Sequence, residues 1–143
     1  MFILLAFFNT FVPHLFLITF FYTGSMDTEA IRNLYDANAS YYRYFGQEDT
    51  AQFSIHYGFW EKGTTSIDQA RLNTNSIMAE KADITSGEKI LDAGCGVGGS
   101  SIWLALKKRC QVTGITLSPK EVHKARELAG RFGVSNLVDF EVG

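Results

Sequence analysis

The sequence has little cysteine and little clustered positive charge, and each shortage argues against a class of protein. Its 143 residues include only Cys95 and Cys110, so neither a disulfide framework nor a zinc site is indicated, and a reducing, cytoplasmic compartment fits best. The formal net charge is −2, and the one dense basic run is residues 107–109. That distribution gives no electrostatic footprint for holding nucleic acid. The length suits one small globular domain.

Charge is also missing from the start of the chain. Residues 1–26 contain no charged side chain and seven phenylalanines, and an uncharged stretch of this length is a candidate membrane span. The first basic residue is Arg32, so the positive flank that orients a signal peptide or a membrane helix is absent. We interpret residues 1–25 as a hydrophobic extension outside the working protein. The alternatives are a membrane anchor through residues 3–22 and a cleaved signal.

Residues 26–85 have the pattern of an N-terminal helical cap. Apolar residues recur near helical spacing over residues 28–45. Ser66 and Gln69 have the spacing of a capping box and predict the start of a second helix. Between the two helices lies the aromatic stretch FSIHYGFWEKG, residues 53–63. We interpret it as a loop that its aromatic side chains pin to the core, or alternatively as a lid over a small-molecule pocket.

From residue 86 onward, strands and helices alternate. In chain order the pattern predicts strand 89–93, helix 98–109, strand 111–117, a helix that begins at Pro119 with Ser118 as its N-cap, and strand 137–142. Parallel strands joined by crossover helices form a doubly wound α/β sheet. The sequence therefore predicts the first half of a Rossmann-like domain over residues 86–143.

The glycine-rich stretch ILDAGCGVGGSS, residues 90–101, follows the first strand of this unit, at the edge where open α/β sheets bind ligands. Glycine permits positive φ and a close approach of a ligand to the backbone, and the helix that follows offers free N–H groups. The spacing fits two templates. Residues Gly94 to Gly99 fit the dinucleotide fingerprint GxGxxG, and residues Asp92 to Gly98 fit the methyltransferase pattern DxGxGxG.

Asp92 favours the second template. A carboxylate two residues before the first glycine would repel a pyrophosphate, whereas it would attract the cationic amino group of a methionine moiety. The dinucleotide interpretation also requires an acid about 20 residues further on, to hold the ribose. The second strand ends in GITLS without one. A nicotinamide or flavin oxidoreductase is therefore the less favoured enzyme class.

The runs DAGCGVGG and GITLSP resemble the S-adenosylmethionine-dependent methyltransferases with the Rossmann-like fold, in particular the branch of the tocopherol and cyclopropane-fatty-acid-type enzymes. The resemblance spans residues 31–143, with less specific likeness at Tyr35-Asp36 and at IHYGFW. It implies S-adenosylmethionine as the cofactor and methyl transfer from a sulfonium to a small-molecule or lipid-like acceptor. No residue stands out as a catalytic base or as part of a metal site.

The resemblance also assigns roles to single positions. Asp92 would hold the loop and the methionine end of the cofactor, and Thr116 and Leu117 would lie beside the ribose and adenine. Glu121 stands where the branch commonly has a glutamine that contacts the ribose; it can accept from hydroxyls but cannot donate. The other expected positions line the turn or approach the cofactor from the helical cap, and they are Gly94, Cys95, Gly96, Gly98, Tyr35, Ser54 and His56.

The chain ends within the third predicted strand. In a doubly wound sheet of strand order 3-2-1-4-5-6 the first strand is central, so strand 89–93 is expected here to be an edge with unpaired backbone groups. By the resemblance, most of the acceptor site lies in sequence that this chain lacks. We interpret the chain as an N-terminal fragment that binds cofactor weakly or not at all and transfers no methyl group. A non-catalytic remnant of the fold is the alternative.

Overall fold

A computed structural model describes residues 2–3, 27–38 and 56–143 of the chain. In chain order the elements are β1 (Phe2–Ile3), α1 (Thr28–Asn38), α2 (Ile67–Lys81), β2 (Lys89–Ala93), α3 (Gly99–Lys108), β3 (Gln111–Thr116), α4 (Pro119–Arg131) and β4 (Val138–Val142). The strands form one parallel sheet in the order β1-β2-β3-β4. Strands, crossover helices and the preceding helices match the predicted α/β class and its helical cap.

The sheet corrects one expectation about its edge. Strand β2 was expected to lack a partner on one side, but Phe2 pairs with Ile90 and Ile3 pairs with Leu91. The edge prediction is therefore wrong at Ile90 and Leu91. The physical reason is that the free N–H and C=O groups of an edge strand accept any extended segment that can reach them.

Local signals placed the element boundaries well. The bounds of β2 are those predicted, and α3 lies one residue inside its predicted range at each end. Ser118 caps α4, because its Oγ accepts a hydrogen bond from Glu121 N at 3.1 Å. The capping box of α2 forms only in part: Ser66 Oγ accepts from Gln69 N, but the Gln69 side chain accepts from Thr65 N. The second half of predicted helix 28–45 lies outside the described residues.

One face of the sheet carries the core. Burial alternates along β2, β3 and β4, as the two-residue period of a strand requires. The buried positions face α3 and α4, and the main cluster includes Ile90, Ile102, Val112, Leu128 and Phe140. The opposite face exposes residues such as Lys89 and Thr113. The carboxyl ends of β2 and β3 lie side by side, and this edge positions the candidate site.

The aromatic loop, residues 56–66, is attached to α2 by its backbone. Phe59 N donates to Ala70 O at 2.8 Å and to Thr74 Oγ1 at 2.9 Å, and Tyr57 O accepts from Thr74 Oγ1. The side chains of Tyr57, Phe59 and Trp60 are 89%, 50% and 57% exposed. The loop interpretation thus holds for these residues, but the expected pinning by aromatic side chains is wrong, because main-chain bonds hold the loop.

Within the described residues, no helix is long and apolar enough to cross a membrane. Apart from the short strand β1, the predicted hydrophobic extension lies outside those residues. The boundary at residue 25 and the anchor through residues 3–22 therefore stay predictions.

Candidate functional site

The turn between β2 and α3 holds three glycines in the left-handed region. The φ angle is +82° at Gly94, +54° at Gly96 and +81° at Gly98, a region in which a Cβ costs about 1–2 kcal/mol. The start of the turn is fixed to the neighbouring strand, because Gly94 N and Cys95 N both donate to Ile115 O, at 2.8 and 3.0 Å. The turn therefore lies across the carboxyl ends of β2 and β3.

The glycines of this turn have different surroundings. A Cβ at Gly94 would meet nothing within 4 Å, whereas a Cβ at Gly98 would lie 2.6 Å from Phe140 Cζ and 3.1 Å from Ala125 Cβ. Gly98 is also the N-cap of α3 and supplies no side-chain cap bond. The first N–H groups of α3 thus have no acceptor from an N-cap side chain. The space beside the Gly94 backbone is open, and the first turn of α3 has no side-chain cap. Both features suit a ligand that approaches the backbone of the turn.

Asp92 is the last but one residue of β2, and its buried carboxylate lies at the edge of the turn. Its side chain is 7% exposed, and Oδ2 accepts a hydrogen bond from Ser101 Oγ at 2.6 Å. Burial raises the pKa of the Asp92 carboxyl, while the bond from Ser101 and the nearby charge of His56 oppose the rise. Sequence reasoning missed Ser101, whose only signal is its place in the first turn of the helix that follows the glycines.

A second polar group joins the aromatic loop to the same helix start. Asn75, on α2, is 6% exposed. Its Oδ1 lies 3.1 Å from His56 Nε2 and accepts from Ser100 Oγ at 3.0 Å. His56, predicted to approach the cofactor, is therefore held near Asp92 and the turn. Asn75 could not be found from the sequence, because a polar residue inside a helical pattern is ordinarily exposed.

The end of β3 has its own buried pair. Thr116 Oγ1 donates to Glu121 Oε2 at 2.5 Å, and Glu121 is 1% exposed. The structure thus brings Thr116, Leu117 and Glu121 together beside the turn. The Glu121 carboxylate accepts this bond and is almost fully buried, so a ribose contact by Glu121 stays a prediction.

Helix α1 reaches the same edge of the sheet. Arg32 Nε donates to Leu117 O at 3.1 Å, and the Ser118 hydroxyl donates to the Asp36 carboxylate. Tyr35 therefore lies on a helix that contacts the site, with 44% of its surface exposed. Ser54 lies outside the described residues, and its predicted role stays a prediction. Sequence reasoning placed Tyr35 near the site but missed Arg32 and Asp36.

Cys95 lies inside the turn but is not activated. Burial, together with the charges of Asp92 and Glu121, raises the pKa of the Cys95 thiol to about 12. The thiol is therefore protonated at neutral pH, and a protonated thiol is neither a nucleophile nor a metal ligand. In the part of the chain that the structure describes, no group of three or more His, Cys, Asp or Glu residues could hold a metal ion.

Sequence comparison places these features among known proteins. The family described as "Mycolic acid cyclopropane synthetase" matches residues 23–142. The chain is 35% identical over 124 residues to a probable chloroplastic tocopherol O-methyltransferase of Oryza sativa subsp. japonica, which covers 80% of this chain and 33% of that protein. It is 32% identical over 90 residues to erythromycin 3''-O-methyltransferase of Saccharopolyspora erythraea, which covers 62% of this chain and 29% of that protein. The chain thus spans about a third of the length of these relatives.

Solved structures have the same architecture. The [4+2]-cyclase SpnF superposes with a TM-score of 0.71 at 30% sequence identity, covering 81% of this chain and 42% of that one. A geranyl diphosphate methyltransferase, solved with geranyl diphosphate and sinefungin, also gives a TM-score of 0.71, at 19% identity, covering 81% of this chain and 48% of that one. At that identity the second match shows the fold alone. The fold is therefore Rossmann-like, as predicted.

Proposed function

The chain belongs to the mycolic acid cyclopropane synthetase family of S-adenosylmethionine-dependent methyltransferases, and from this premise we propose that its glycine turn binds S-adenosylmethionine. One observation carries the proposal: a buried carboxylate, Asp92, lies two residues before the first of three left-handed glycines at the carboxyl edge of a parallel sheet. The open space before Gly94 admits a ligand next to the backbone. A carboxylate there suits the cationic amino group of a methionine moiety.

The predicted site residues in and beside the glycine turn have proposed parts in binding. Asp92, held by Ser101, would attract the amino group of the cofactor. Gly94 and Gly96 would allow its close approach, and Thr116 and Leu117 would lie beside the ribose and adenine. Glu121 supports this edge through its bond to Thr116. For Gly98 the packing against Phe140 supports a role in shaping the turn. Cys95 would serve as a small, unreactive side chain within it.

The proposed reaction is methyl transfer to a small-molecule or lipid-like acceptor. When bound, S-adenosylmethionine would supply a methyl group on a sulfonium. An acceptor nucleophile would attack the methyl carbon in line with the carbon–sulfur bond, which breaks and leaves the thioether S-adenosylhomocysteine. The protein's part in such a transfer is to align the acceptor and exclude water, without a covalent enzyme intermediate. In this proposal the bonds of His56, Asn75 and Ser100 hold the aromatic loop against the cofactor edge. We assign no catalytic base.

The proposal is tested by the substitution Gly96→Val. A branched side chain would occupy the cofactor's space and oppose the φ of +54°, so we expect loss of S-adenosylhomocysteine binding in a ligand-observed NMR titration. Gly87→Val is the matched control, because Gly87 has a φ of +83° and open surroundings but lies before β2, at the opposite end of the sheet. Unchanged binding by Gly96→Val would overturn the proposal.

Two other functions are separated by further measurements. Binding of NADH in place of S-adenosylhomocysteine would favour the oxidoreductase alternative. The similarity to SpnF, a [4+2]-cyclase, supports a second candidate: a protein that keeps the fold and carries out another reaction or none. Cofactor binding without formation of S-adenosylhomocysteine from S-adenosylmethionine, when a longer form of the protein is supplied with acceptors, would favour that second candidate.

A further inference from the structure

Helix α1 is fastened to the start of α4 by three hydrogen bonds whose partners lie 82 to 85 residues apart in the sequence. Arg32 Nε donates to Leu117 O at 3.1 Å. The Ser118 hydroxyl donates to the Asp36 carboxylate, and Lys120 Nζ donates to Asp36 O at 3.4 Å. We name Arg32 and Asp36, with these bonds, the α1 clamp.

The α1 clamp continues into a buried series of hydrogen bonds that ends at β3. A hydroxyl has one hydrogen, so donation by Ser118 to Asp36 leaves the Ser118 lone pairs for Glu121 N, at 3.1 Å. The Glu121 carboxylate accepts from Thr116 Oγ1 at 2.5 Å. Ser118 and Glu121 are 0% and 1% exposed, and a buried polar atom that loses its partner is costly. Asp36 is therefore linked to the position of the Thr116 hydroxyl.

The charges of the α1 clamp suit the two helices that it joins. The Asp36 carboxylate lies at the N-terminus of α4, which Ser118 caps, and the Lys120 ammonium lies on a carbonyl in the last turn of α1. An anion at a helix N-terminus and a cation at a helix C-terminus are both stabilised by the helix dipoles. At this junction, the C-terminus of α1 and the N-terminus of α4 thus each meet a charge of the opposite sign to their own dipole end.

We propose that the α1 clamp positions the adenosine side of the cofactor site, so that docking of α1 and binding of cofactor are thermodynamically coupled. This inference rests on the proposed function. Arg32 holds the Leu117 carbonyl directly, and Asp36 holds the Thr116 hydroxyl through Ser118 and Glu121. Arg32 and Asp36 touch no ligand in this proposal and act as positioning residues. Because coupling between sites is reciprocal, a ligand that needs this conformation also favours docked α1.

The first test uses amide hydrogen exchange on the full chain. Adding S-adenosylhomocysteine at millimolar concentration should slow exchange across residues 28–38 as well as at residues 117–121. A helix that is attached for structural reasons alone would show no more slowing than regions far from the site, which the ligand protects only by stabilising the whole fold. Binding to the wild-type chain without any change of exchange in residues 28–38 would overturn the coupling while leaving the proposed function intact.

The second test compares variants by the midpoint of a ligand-observed NMR titration. Asp36→Ala should raise the midpoint roughly tenfold, a typical size for coupling between sites. Asp36→Asn keeps an acceptor for Ser118 but loses the charge, so its midpoint should lie between those of wild type and Asp36→Ala. Asn33→Ala changes an exposed residue of the same helix and is the matched control.

The outcomes separate the two proposals. Equal midpoints for wild type and Asp36→Ala overturn the inference alone, whereas no binding of S-adenosylhomocysteine to either the 143-residue chain or a longer form of the protein overturns both proposals. If Asp36→Ala fails to fold, the exchange measurement on wild type decides.

Discussion

At the residue scale, the site depends on carboxylates that the fold withdraws from water. Asp92 has one hydroxyl partner, and Glu121 likewise accepts a short bond from Thr116. Their charges, added to burial, raise the pKa of the Cys95 thiol to about 12. The side chains around the turn therefore present negative charge to a cationic ligand and no reactive thiol. Burial of a charge costs stability, which is consistent with the binding role proposed for Asp92.

Asp92→Asn should stabilise the chain more at neutral than at acidic pH. Burial raises the pKa of the Asp92 carboxyl in the folded chain above its ordinary value, so the folded chain holds the proton more tightly than the unfolded chain and loses stability as pH rises from the unfolded-state pKa to the folded-state pKa. Asparagine removes that loss and still accepts from Ser101. We expect the difference in urea midpoint between variant and wild type to be larger at pH 7.5 than at pH 4.5.

The matched control is Asp139→Asn, which changes an exposed carboxylate on β4. Its difference from wild type should vary little with pH. A gain for Asp92→Asn that is equal at both pH values, or larger at pH 4.5, would contradict the account of Asp92.

We also expect Asp92→Asn to weaken cofactor binding less than Gly96→Val does, because it keeps the hydrogen-bonding shape and removes only the charge.

At the element scale, the turn between β2 and α3 has one side open to a ligand and one side packed on the sheet. A Cβ at Gly98 would contact Phe140 on β4, and one at Gly114 on β3 would lie 2.7 Å from Phe140 Cδ1 and 2.9 Å from Cys95 Sγ. The Phe140 ring thus fills space that two glycines leave free. Close packing of turn, helix and sheet, as well as ligand approach, accounts for this glycine content.

Gly98→Ala and Gly94→Ala form a matched pair at this scale. Their φ angles are +81° and +82°, so the backbone strain is the same, and only the surroundings differ. We expect Gly98→Ala to lower the free energy of unfolding by about 1–3 kcal/mol more, the cost typical of overpacking. Gly94→Ala should instead affect mainly the binding of S-adenosylhomocysteine. Urea denaturation and NMR titration of both variants check this, and equal losses of stability would contradict it.

At the scale of the whole molecule, the described sheet is covered on one face and only partly closed at its β2 edge. Strand β1 pairs with two residues of β2, and on the face away from α3 and α4, Ala93 and Thr113 are exposed. The chain also spans about a third of the length of the curated relatives it matches. Because apolar side chains are buried on one face of the sheet only, we expect burial to give limited support to cooperative unfolding.

We expect the purified 143-residue chain to bind S-adenosylhomocysteine weakly or not at all, to unfold with low cooperativity and to transfer no methyl group. The physical reason is that one face of the described sheet is exposed and that β1 pairs with only two residues of β2. The carboxyl ends of β2 and β3, where the cofactor is proposed to bind, are therefore weakly supported. The measurement is S-adenosylhomocysteine production from S-adenosylmethionine with a panel of small-molecule acceptors. Turnover by a sample in which mass spectrometry finds no longer form would prove this expectation wrong.

The sequence by itself determined the α/β class, the alternation of strands and helices from residue 86 onward and the place of the glycine turn. These features depend on local chemistry: strand and helix periods, glycines that permit positive φ, and Ser118 with Pro119 at a helix start. They also located Asp92, Gly94 and Gly96 at one edge, because the carboxyl ends of neighbouring parallel strands meet there. A local pattern suffices when the partners are close in sequence.

Only the tertiary structure decided which distant residues meet. The bonds of Asp36 to Ser118, of Asn75 to His56 and Ser100, and of β1 to β2 join residues 19 to 88 positions apart, and no periodicity of the sequence encodes such pairs. The exposed aromatic side chains of the loop were mispredicted for the same reason: aromatic residues favour burial, but the backbone bonds to α2 fix which way the loop faces. Long-range contacts depend on how the elements pack, and packing is a property of the folded chain.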